Sequence, residues 1–419
     1  MKRPYRPTAQ TVRFLEEARQ ISEKLRANPP PPVKFSDHFH DTGFGSVRIV
    51  KPPKRPNPKR MQPLLAYAQG ALYGLAVGDA LGATTEFSEP RDLPAYPTLV
   101  TGPHREIIGA GKHAVAPGQV TDDTQMATCI VDAFLAKGAD VTSEDFAERY
   151  TRWVPFAFDA GRQTRAALAL VASGVPAREA GKRLWLEGNK HAAPNGSLMR
   201  TAPIGVFFAR NQKRRRAATI ADSIITHFDP RCVLACVGFN GAIASAVRGE
   251  LRVKDMLASC EEDLRDAADE LRRGLMRSFT DEVTRAEEEL LLDFDLSDDP
   301  DPAIDQKGLH LIGTQGFVRV AFRLAFWHLR HTEDFAAAMI DVVNRGGDTD
   351  TNAAITGALL GARLGVDAIP RSWRDAVLAA VPRQGPESPL ATTYHPRTML
   401  TKTAALLDKD LPGLWEKIF

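Results

Sequence analysis

Small and apolar residues recur at three- and four-residue spacing through most of the chain after residue 60. Such spacing places them on one face of a helix, and few stretches show the two-residue alternation of a half-buried strand. We therefore predict an all-α fold built from many short helices. The predicted helical segments are 61–82, 122–137, 144–172, 176–187, 217–250, 252–292 (a charged, solvent-facing helix pair), 314–330, 332–344, 351–364 and 398–418.

The first 60 residues differ from the rest in charge and proline content. They hold 14 Lys/Arg and 5 Asp/Glu, a balance of +9, whereas the remaining residues hold 40 and 47, a balance of −7. A helix is predicted over 9–27, and the prolines at 29–32 end it because proline lacks the N–H donor. We expect two units: a basic, Pro-rich N-terminal extension (1–60) and a helical domain (61–419).

Several protein classes are disfavoured by composition. The scattered cysteines form neither a disulfide framework nor a zinc-ligand pattern. The sequence contains no uninterrupted apolar stretch of about 18 residues, so no membrane helix is predicted. The region near the N-terminus lacks the apolar segment that is typical of a signal peptide. We expect a cytoplasmic protein with no membrane partner. The six aspartates of 293–305 are interpreted as a solvated acidic loop, because the Gly and Glu of a calcium loop are missing.

The first acidic cluster, Thr121-Asp122-Asp123-Thr124, directly precedes a helical apolar run. One aspartate would suffice to cap a helix and to complement its dipole. Two adjacent carboxylates repel each other unless a cation lies between them. Taken alone, this motif leaves both capping and metal binding open.

The second acidic cluster lies between two predicted helices and contains Asp348, Asp350 and Thr351. The preceding Gly346-Gly347 permits a tight turn with positive φ. Carboxylate and hydroxyl oxygens are the ligands that hard cations such as Mg²⁺ prefer. Two Asp/Thr clusters in one helical chain favour a shared dinuclear metal site over two caps.

Three further segments are candidates for packing or ligand binding. Gly74, Gly78 and Gly82 recur every four residues, which predicts a bare helix face for close packing. Asp79 is interpreted as a buried acceptor, and Glu86 as an acid/base group or substrate clamp. The turn at 195–200 is suited to phosphate capture. Residues 226–230 are interpreted as a short turn, and His227 on it is either structural or part of a ligand site.

Five motifs carry a resemblance to a known family: GLAVGDALGATTEF, GQVTDDTQMA, NGSLMRTAPIG, THFDPRCVLA and NRGGDTDTNAAITGALLGARLG. Over about residues 61–380, the chain resembles the ADP-ribosylglycohydrolases of the dinitrogenase reductase-activating type. The resemblance implies a compact all-α fold with two divalent cations, Mg²⁺ or Mn²⁺, in a central cleft. It also implies cleavage of the bond between ADP-ribose and a modified side chain, arginine in the bacterial type and serine in another branch.

The resemblance also assigns residues. The implied metal ligands are Thr121, Asp122, Asp123, Asp348, Asp350 and Thr351. Glu86 and Asp159 are the implied catalytic carboxylates, with their division of labour open. The implied substrate-binding residues are Asn195, Gly196, Ser197 and Met199 at the diphosphate and ribose, His227 at the adenosine end and Gly316 at the distal ribose.

The N-terminal extension is the part that the family core does not cover. Some bacterial family members are immunity proteins against ADP-ribosylating toxins, and their extensions block the toxin's cleft. We therefore keep a second hypothesis, a binding protein that neutralises such a toxin through residues 1–60. Nucleic-acid binding by this segment is disfavoured, because it has few aromatics among its basic residues.

Overall fold

The computed structural model describes residues 63–88, 104–301 and 314–410. Within these ranges the regular structure is helical, with no strand longer than an isolated bridge, which confirms the all-α prediction. The extension at 1–60, its predicted helix over 9–27 and the boundary at residue 60 lie outside the described residues, so they stay predictions.

The described helices follow most of the predicted segments. They are α1 (Pro63–Gly82), α2 (Asp122–Lys137), α3 (Ser143–Trp153), α4 (Arg162–Ala172), α5 (Ala177–Glu187), α6 (Ala202–Phe207), α7 (Gln212–Thr226), α8 (Pro230–Val247), α9 (Val253–Arg273), α10 (Thr280–Leu296), α11 (Val318–His331), α12 (Phe335–Asn344), α13 (Thr349–Leu364), α14 (Arg371–Ala379), α15 (Pro396–Leu400) and α16 (Thr403–Asp410).

The predicted segment 144–172 was wrong in being continuous. It is divided into α3 and α4, with Pro155 inside the 3₁₀ turn between them. The segment 217–250 is divided into α7 and α8 at the short turn predicted for 226–230, and Pro230 is the first residue of α8. Proline disfavours a helical conformation in the residue before it, so each helix ends upstream of its proline.

The glycine face of α1 packs directly on the backbone of α13. A Cβ atom placed on Gly74 would lie 2.0 Å from the Gly357 carbonyl oxygen, and one on Gly78 would lie 2.1 Å from that of Ala353. The prediction of close packing is confirmed. Because the two helices run antiparallel, the C-terminal end of α1 meets the N-terminal end of α13 at Gly82 and Asp350.

Helix α8 is at the centre of the core. By length and composition it could cross a membrane, but 94% of it is buried inside the protein, as is usual for a core helix of a folded domain. Helices α9 and α10 pack against it, so the predicted solvent-facing pair exposes only its outer faces. The four cysteines are buried and unpaired, as predicted.

The interpretation of 293–305 as a solvated loop was wrong at its start. Helix α10 continues to Leu296, so Asp293 lies in its last turn and is fully buried. The Asp293 carboxylate accepts hydrogen bonds from Arg319 and Arg323 of α11. Paired guanidinium groups offset the desolvation of a buried carboxylate, so Asp293 joins α10 to α11. Asp295 and Asp298 are exposed, and residues 302–313 lie outside the described part.

Candidate active site

Asp79, near the end of α1, caps α2 from outside that helix. Its buried carboxylate accepts hydrogen bonds from the backbone N–H groups of Thr121 (2.9 Å) and Thr124 (3.1 Å), and from both threonine hydroxyls. Thr121, the N-cap residue, makes no cap hydrogen bond with its own side chain. Asp79 therefore fulfils the capping role that the sequence left open for Asp122 and Asp123, and its predicted role as a buried acceptor is confirmed.

The carboxylates of Asp122 and Asp123 are consequently not needed to cap α2 and remain available to bind a ligand. Asp123 is fully buried, and its Oδ1 atom has no hydrogen-bond partner. Asp122 accepts one hydrogen bond, from the Gly161 N–H at 3.3 Å. The Thr121 hydroxyl lies 3.1 Å from Asp123 Oδ2 and 3.4 Å from Asp350 Oδ2. The first cluster is thus in direct contact with the second.

The second cluster lies on a turn that is clamped to the end of α1. Gly346 and Gly347 have φ values of 75° and 77°, as the predicted tight turn requires. Gly347 exchanges backbone hydrogen bonds with Phe87 (2.6 Å) and Ser88 (2.9 Å). This clamp brings Glu86 to the turn. Oxygen atoms of Glu86, Asp348 and Asp350 lie within 4.8 Å of one another.

We call the two Asp/Thr clusters together with Glu86 the acid cluster; its members are Glu86, Thr121, Asp122, Asp123, Asp348, Asp350 and Thr351. Its donor atoms fit hard divalent cations. They are carboxylate and hydroxyl oxygens, and buried oxygens of Asp123 and Glu86 have no hydrogen-bond partner. Burial, followed by the neighbouring carboxylates, raises the pKa values of Asp122, Asp123 and Asp350 well above their ordinary range. Buried carboxylates that repel one another are stable as anions only when positive charge compensates them.

The same carboxylates link the stability of the metal-free protein to pH. Burial raises the pKa of Asp79 from 3.8 to about 6 and that of Glu86 from 4.5 to about 9. Between each pair of values the folded state binds more protons than the unfolded state, so stability present at low pH is lost as pH rises.

We expect the melting temperature of chelator-treated protein to fall from about pH 5 to about pH 9, and we expect Mg²⁺ to raise the melting temperature most near pH 9. Thermal unfolding with and without chelator measures both effects. A Mg²⁺ effect that shrinks as pH rises would contradict them.

A histidine that the sequence did not single out lies beside both predicted catalytic carboxylates. His113 Nε2 lies 3.1 Å from Glu86 Oε2 and 3.5 Å from Asp159 Oδ2. Asp159 precedes α4, whereas the predicted helical segment 144–172 includes it, and it joins Glu86 at the edge of the acid cluster. Burial raises the pKa of Asp159, and His113 opposes that shift. No spacing marks His113 in the sequence, because it lies on an irregular glycine-containing loop.

The turn at 195–200 is anchored to the acid cluster and to the core. Asn195 donates a hydrogen bond from Nδ2 to Asp348 (2.8 Å) and one from its backbone N–H to Gly316 (2.8 Å). Gly316 has a φ of 73°, and a Cβ atom there would lie 3.3 Å from Asp348 Oδ2. Beneath the turn, buried Arg200 donates to the Gly196 carbonyl and to Asp222. The turn and Gly316 therefore form one wall of the site.

The other predicted substrate residues lie deeper in the protein. Ser197 is buried, and its hydroxyl accepts a hydrogen bond from Ser223. Met199 Sδ lies 3.9 Å from the Thr351 hydroxyl. His227 is buried under Gly196, with Nδ1 2.7 Å from the Thr226 hydroxyl, and burial holds its pKa well below the ordinary value. These positions support the shape of the turn, and direct substrate contact by any of the three stays a prediction.

Comparison with known proteins is consistent with this geometry. The profile of the ADP-ribosylglycohydrolase family matches residues 61–399. The chain is similar to the ADP-ribosylarginine hydrolase Tri1 of Serratia proteamaculans (27% identity, covering 74% of this chain and 75% of the relative). It is also similar to the ADP-ribosyl-[dinitrogen reductase] glycohydrolase of Rhodospirillum rubrum (29% identity, covering 76% and 92%).

A solved structure has the same fold. It is titled an ADP-ribosylglycohydrolase-related protein complex, and it aligns with a TM-score of 0.55 and 27% identity over 81% of this chain and 100% of its own. The family profile covers most of the chain, including both Asp/Thr clusters and Glu86. The chain therefore belongs to the ADP-ribosylglycohydrolase family and is a glycohydrolase.

Proposed function

We propose that this protein is a metal-dependent hydrolase that removes ADP-ribose from modified arginine side chains. The observation that carries the proposal is the convergence of both Asp/Thr clusters and Glu86 on one buried acid cluster. Arginine is favoured as the acceptor because relatives from two bacteria, Serratia proteamaculans and Pseudomonas putida, are named ADP-ribosylarginine hydrolases.

The residues that would hold two divalent cations, Mg²⁺ or Mn²⁺, are those that the sequence predicts: Thr121, Asp122, Asp123, Asp348, Asp350 and Thr351. Glu86 lies close enough to Asp348 and Asp350 to join them. Bound divalent cations supply charge stabilisation and acidify a bound water. Asp79 and Asn195 would hold Thr121 and Asp348 in place, because each is hydrogen-bonded to one of them.

Glu86 and Asp159 would divide the proton transfers. Glu86 is the more buried and belongs to the acid cluster, which suits it to orient the ribose or the attacking water. Asp159 is more exposed and lies at the edge of that cluster, where a leaving side chain could reach it. Burial raises the pKa of Asp159, which favours its protonated form, and the basic guanidine needs a proton as it leaves.

The acceptor is tested by offering matched ADP-ribosyl-arginine and ADP-ribosyl-serine peptides in the presence of Mg²⁺. We expect free ADP-ribose from the arginine peptide, at a rate at least about 10²-fold above that from serine, because arginine is the acceptor named for the bacterial relatives. Mass spectrometry of peptide and product measures both rates. Faster release from serine would contradict the choice of arginine.

A second candidate function concerns residues 1–60, which lie before the part that the family profile matches. Their balance of +9 against the −7 of the rest favours a separate partner-binding role. We propose that the protein acts in the cytoplasm as an immunity protein, and that this extension occludes an ADP-ribosyltransferase toxin. Deleting residues 1–60 should abolish inhibition of such a transferase while hydrolysis remains. Unchanged inhibition by the truncated protein would exclude the extension as the inhibitor.

A further inference from the structure

Three side chains at the edge of the acid cluster direct donor atoms at one small volume. His113 Nε2 lies 3.1 Å from Glu86 Oε2 and 3.5 Å from Asp159 Oδ2, and all three atoms lie within 4.8 Å of one another. The Glu86 side chain is 4% exposed, while those of His113 and Asp159 are 19% and 18% exposed. The group is thus closed on the Glu86 side and open to solvent on the other.

His113 lies within ion-pair distance of both carboxylates, but hydrogen bonds do not satisfy the facing atoms. Neither Glu86 Oε2 nor His113 Nε2 has a hydrogen-bond partner, although they are near neighbours. The distance between His113 and Asp159 exceeds the ordinary N–H···O range of about 2.7–3.2 Å. Buried polar atoms without a partner are rare in folded proteins, and an ion that binds between them is one established reason.

The distances match the edges of a metal tetrahedron. Zn²⁺ binds histidine nitrogen and carboxylate oxygen at about 2.0–2.2 Å in four-coordinate sites, so neighbouring ligand atoms lie about 3.3–3.6 Å apart. The observed separations of 3.1 and 3.5 Å are close to that range. Three protein ligands with one open position are the usual donor set of a non-structural zinc site.

We propose that His113, Glu86 and Asp159 form a binding site for Zn²⁺ or a similar transition-metal ion, and that the bound ion inhibits the enzyme. The imidazole nitrogen distinguishes this site from the all-oxygen acid cluster, since nitrogen ligands favour zinc-like ions over Mg²⁺. The partly exposed His113 and Asp159 provide an entry path from solvent.

Inhibition follows from the ligands themselves. An ion at this site engages the lone pairs of Glu86 and Asp159, so neither carboxylate can transfer a proton or contact the ribose. This consequence, unlike the binding site, rests on the proposed function of the two residues. Zinc should therefore inhibit at saturating Mg²⁺, and its effect should weaken as substrate concentration rises.

Binding is tested without reference to activity. Zn²⁺ is titrated calorimetrically into the full-length protein at saturating Mg²⁺, using wild type, His113→Gln, Asp159→Asn and the control His191→Gln, whose histidine is exposed and is not one of the three proposed ligands. We expect His113→Gln and Asp159→Asn to weaken binding at least about tenfold, because each loses a ligand, and His191→Gln to bind as wild type does. Equal affinity in wild type and His113→Gln would overturn the proposal.

A second readout protects the test against variants that fail to fold. Thermal unfolding checks each variant, and Co²⁺ added to the wild type reports coordination directly, because four-coordinate Co²⁺ absorbs visible light far more strongly than six-coordinate Co²⁺. A strong four-coordinate spectrum at saturating Mg²⁺ is expected, and its absence would overturn the site. Zinc binding through His113 without inhibition would keep the site and contradict the catalytic assignment of Glu86 and Asp159.

Discussion

Replacing Asp350 with Asn is expected to lower the rate of ADP-ribose release by about 10³-fold. Asp350 Oδ2 faces the Thr121 hydroxyl of the other cluster, so the substitution removes charge where the two clusters meet. Loss of a metal's charge stabilisation costs several kcal/mol, and each tenfold in rate corresponds to about 1.4 kcal/mol. Initial rates at saturating Mg²⁺ measure the effect, and Asp367→Asn, an exposed change after the far end of α13, is the matched control.

Although Asp350→Asn should lower the reaction rate, it should raise the stability of the metal-free protein. Burial, then neighbouring carboxylates led by Glu86, raises the pKa of Asp350 well above its ordinary range. Removing that charge relieves repulsion in the metal-free protein, so chelator-treated Asp350→Asn should melt at a higher temperature than chelator-treated wild type. Mg²⁺ should stabilise the variant less. A variant that keeps wild-type activity, or that is simply unfolded, would contradict this account of the cluster.

Replacing Gly78 with Ala is expected to destabilise the protein by about 3 kcal/mol. An exposed helical Gly→Ala change would normally stabilise by up to about 1 kcal/mol, so the sign is diagnostic. Here the new Cβ would lie 2.1 Å from the carbonyl oxygen of Ala353, and only movement of α1 away from α13 can relieve the clash. Activity should fall as well, because the same helix pair holds Glu86 against the second cluster.

Chemical denaturation with a fixed denaturant slope measures the change. Gly161→Ala is the control, because the nearest atom to its new Cβ would be the Thr164 hydroxyl at 3.8 Å and the φ of Gly161 is ordinary at −53°. The control should change stability by no more than about 1 kcal/mol. Similar losses at both positions would show that close packing of α1 on α13 is not the cause.

The parts of the site that could be predicted are those whose signal is local. Each Asp/Thr cluster lies within a few residues, and the glycines of α1 recur with the helix period, so both were evident in the sequence. The capping of α2 could not be assigned, because the acceptor, Asp79, is 42 residues before Thr121 and only the fold brings it there. His113 was missed for a related reason, since its neighbours Glu86 and Asp159 come from two other parts of the chain.

The differences between the predicted and the observed fold also have specific causes. Helical periodicity continues across Pro155, although proline restricts the conformation of the residue before it and a 3₁₀ turn interrupts the helix there. Asp293 was assigned to a solvated loop because acidic residues follow it, whereas its partners, Arg319 and Arg323, come from α11. Ion pairs between distant segments produce no periodic pattern in the sequence. The spacing of residues therefore does not predict which charged side chains are buried.

We propose that the two Asp/Thr clusters build one divalent-cation site that cleaves ADP-ribose from protein. This is tested by measuring the release of free ADP-ribose from an ADP-ribosylated arginine peptide by chelator-treated enzyme, before and after Mg²⁺ is restored. We predict no release above background without the cation and full recovery with it, in wild type but not in Asp350→Asn. Undiminished release by the chelated enzyme, or none after Mg²⁺ is restored, would contradict the account.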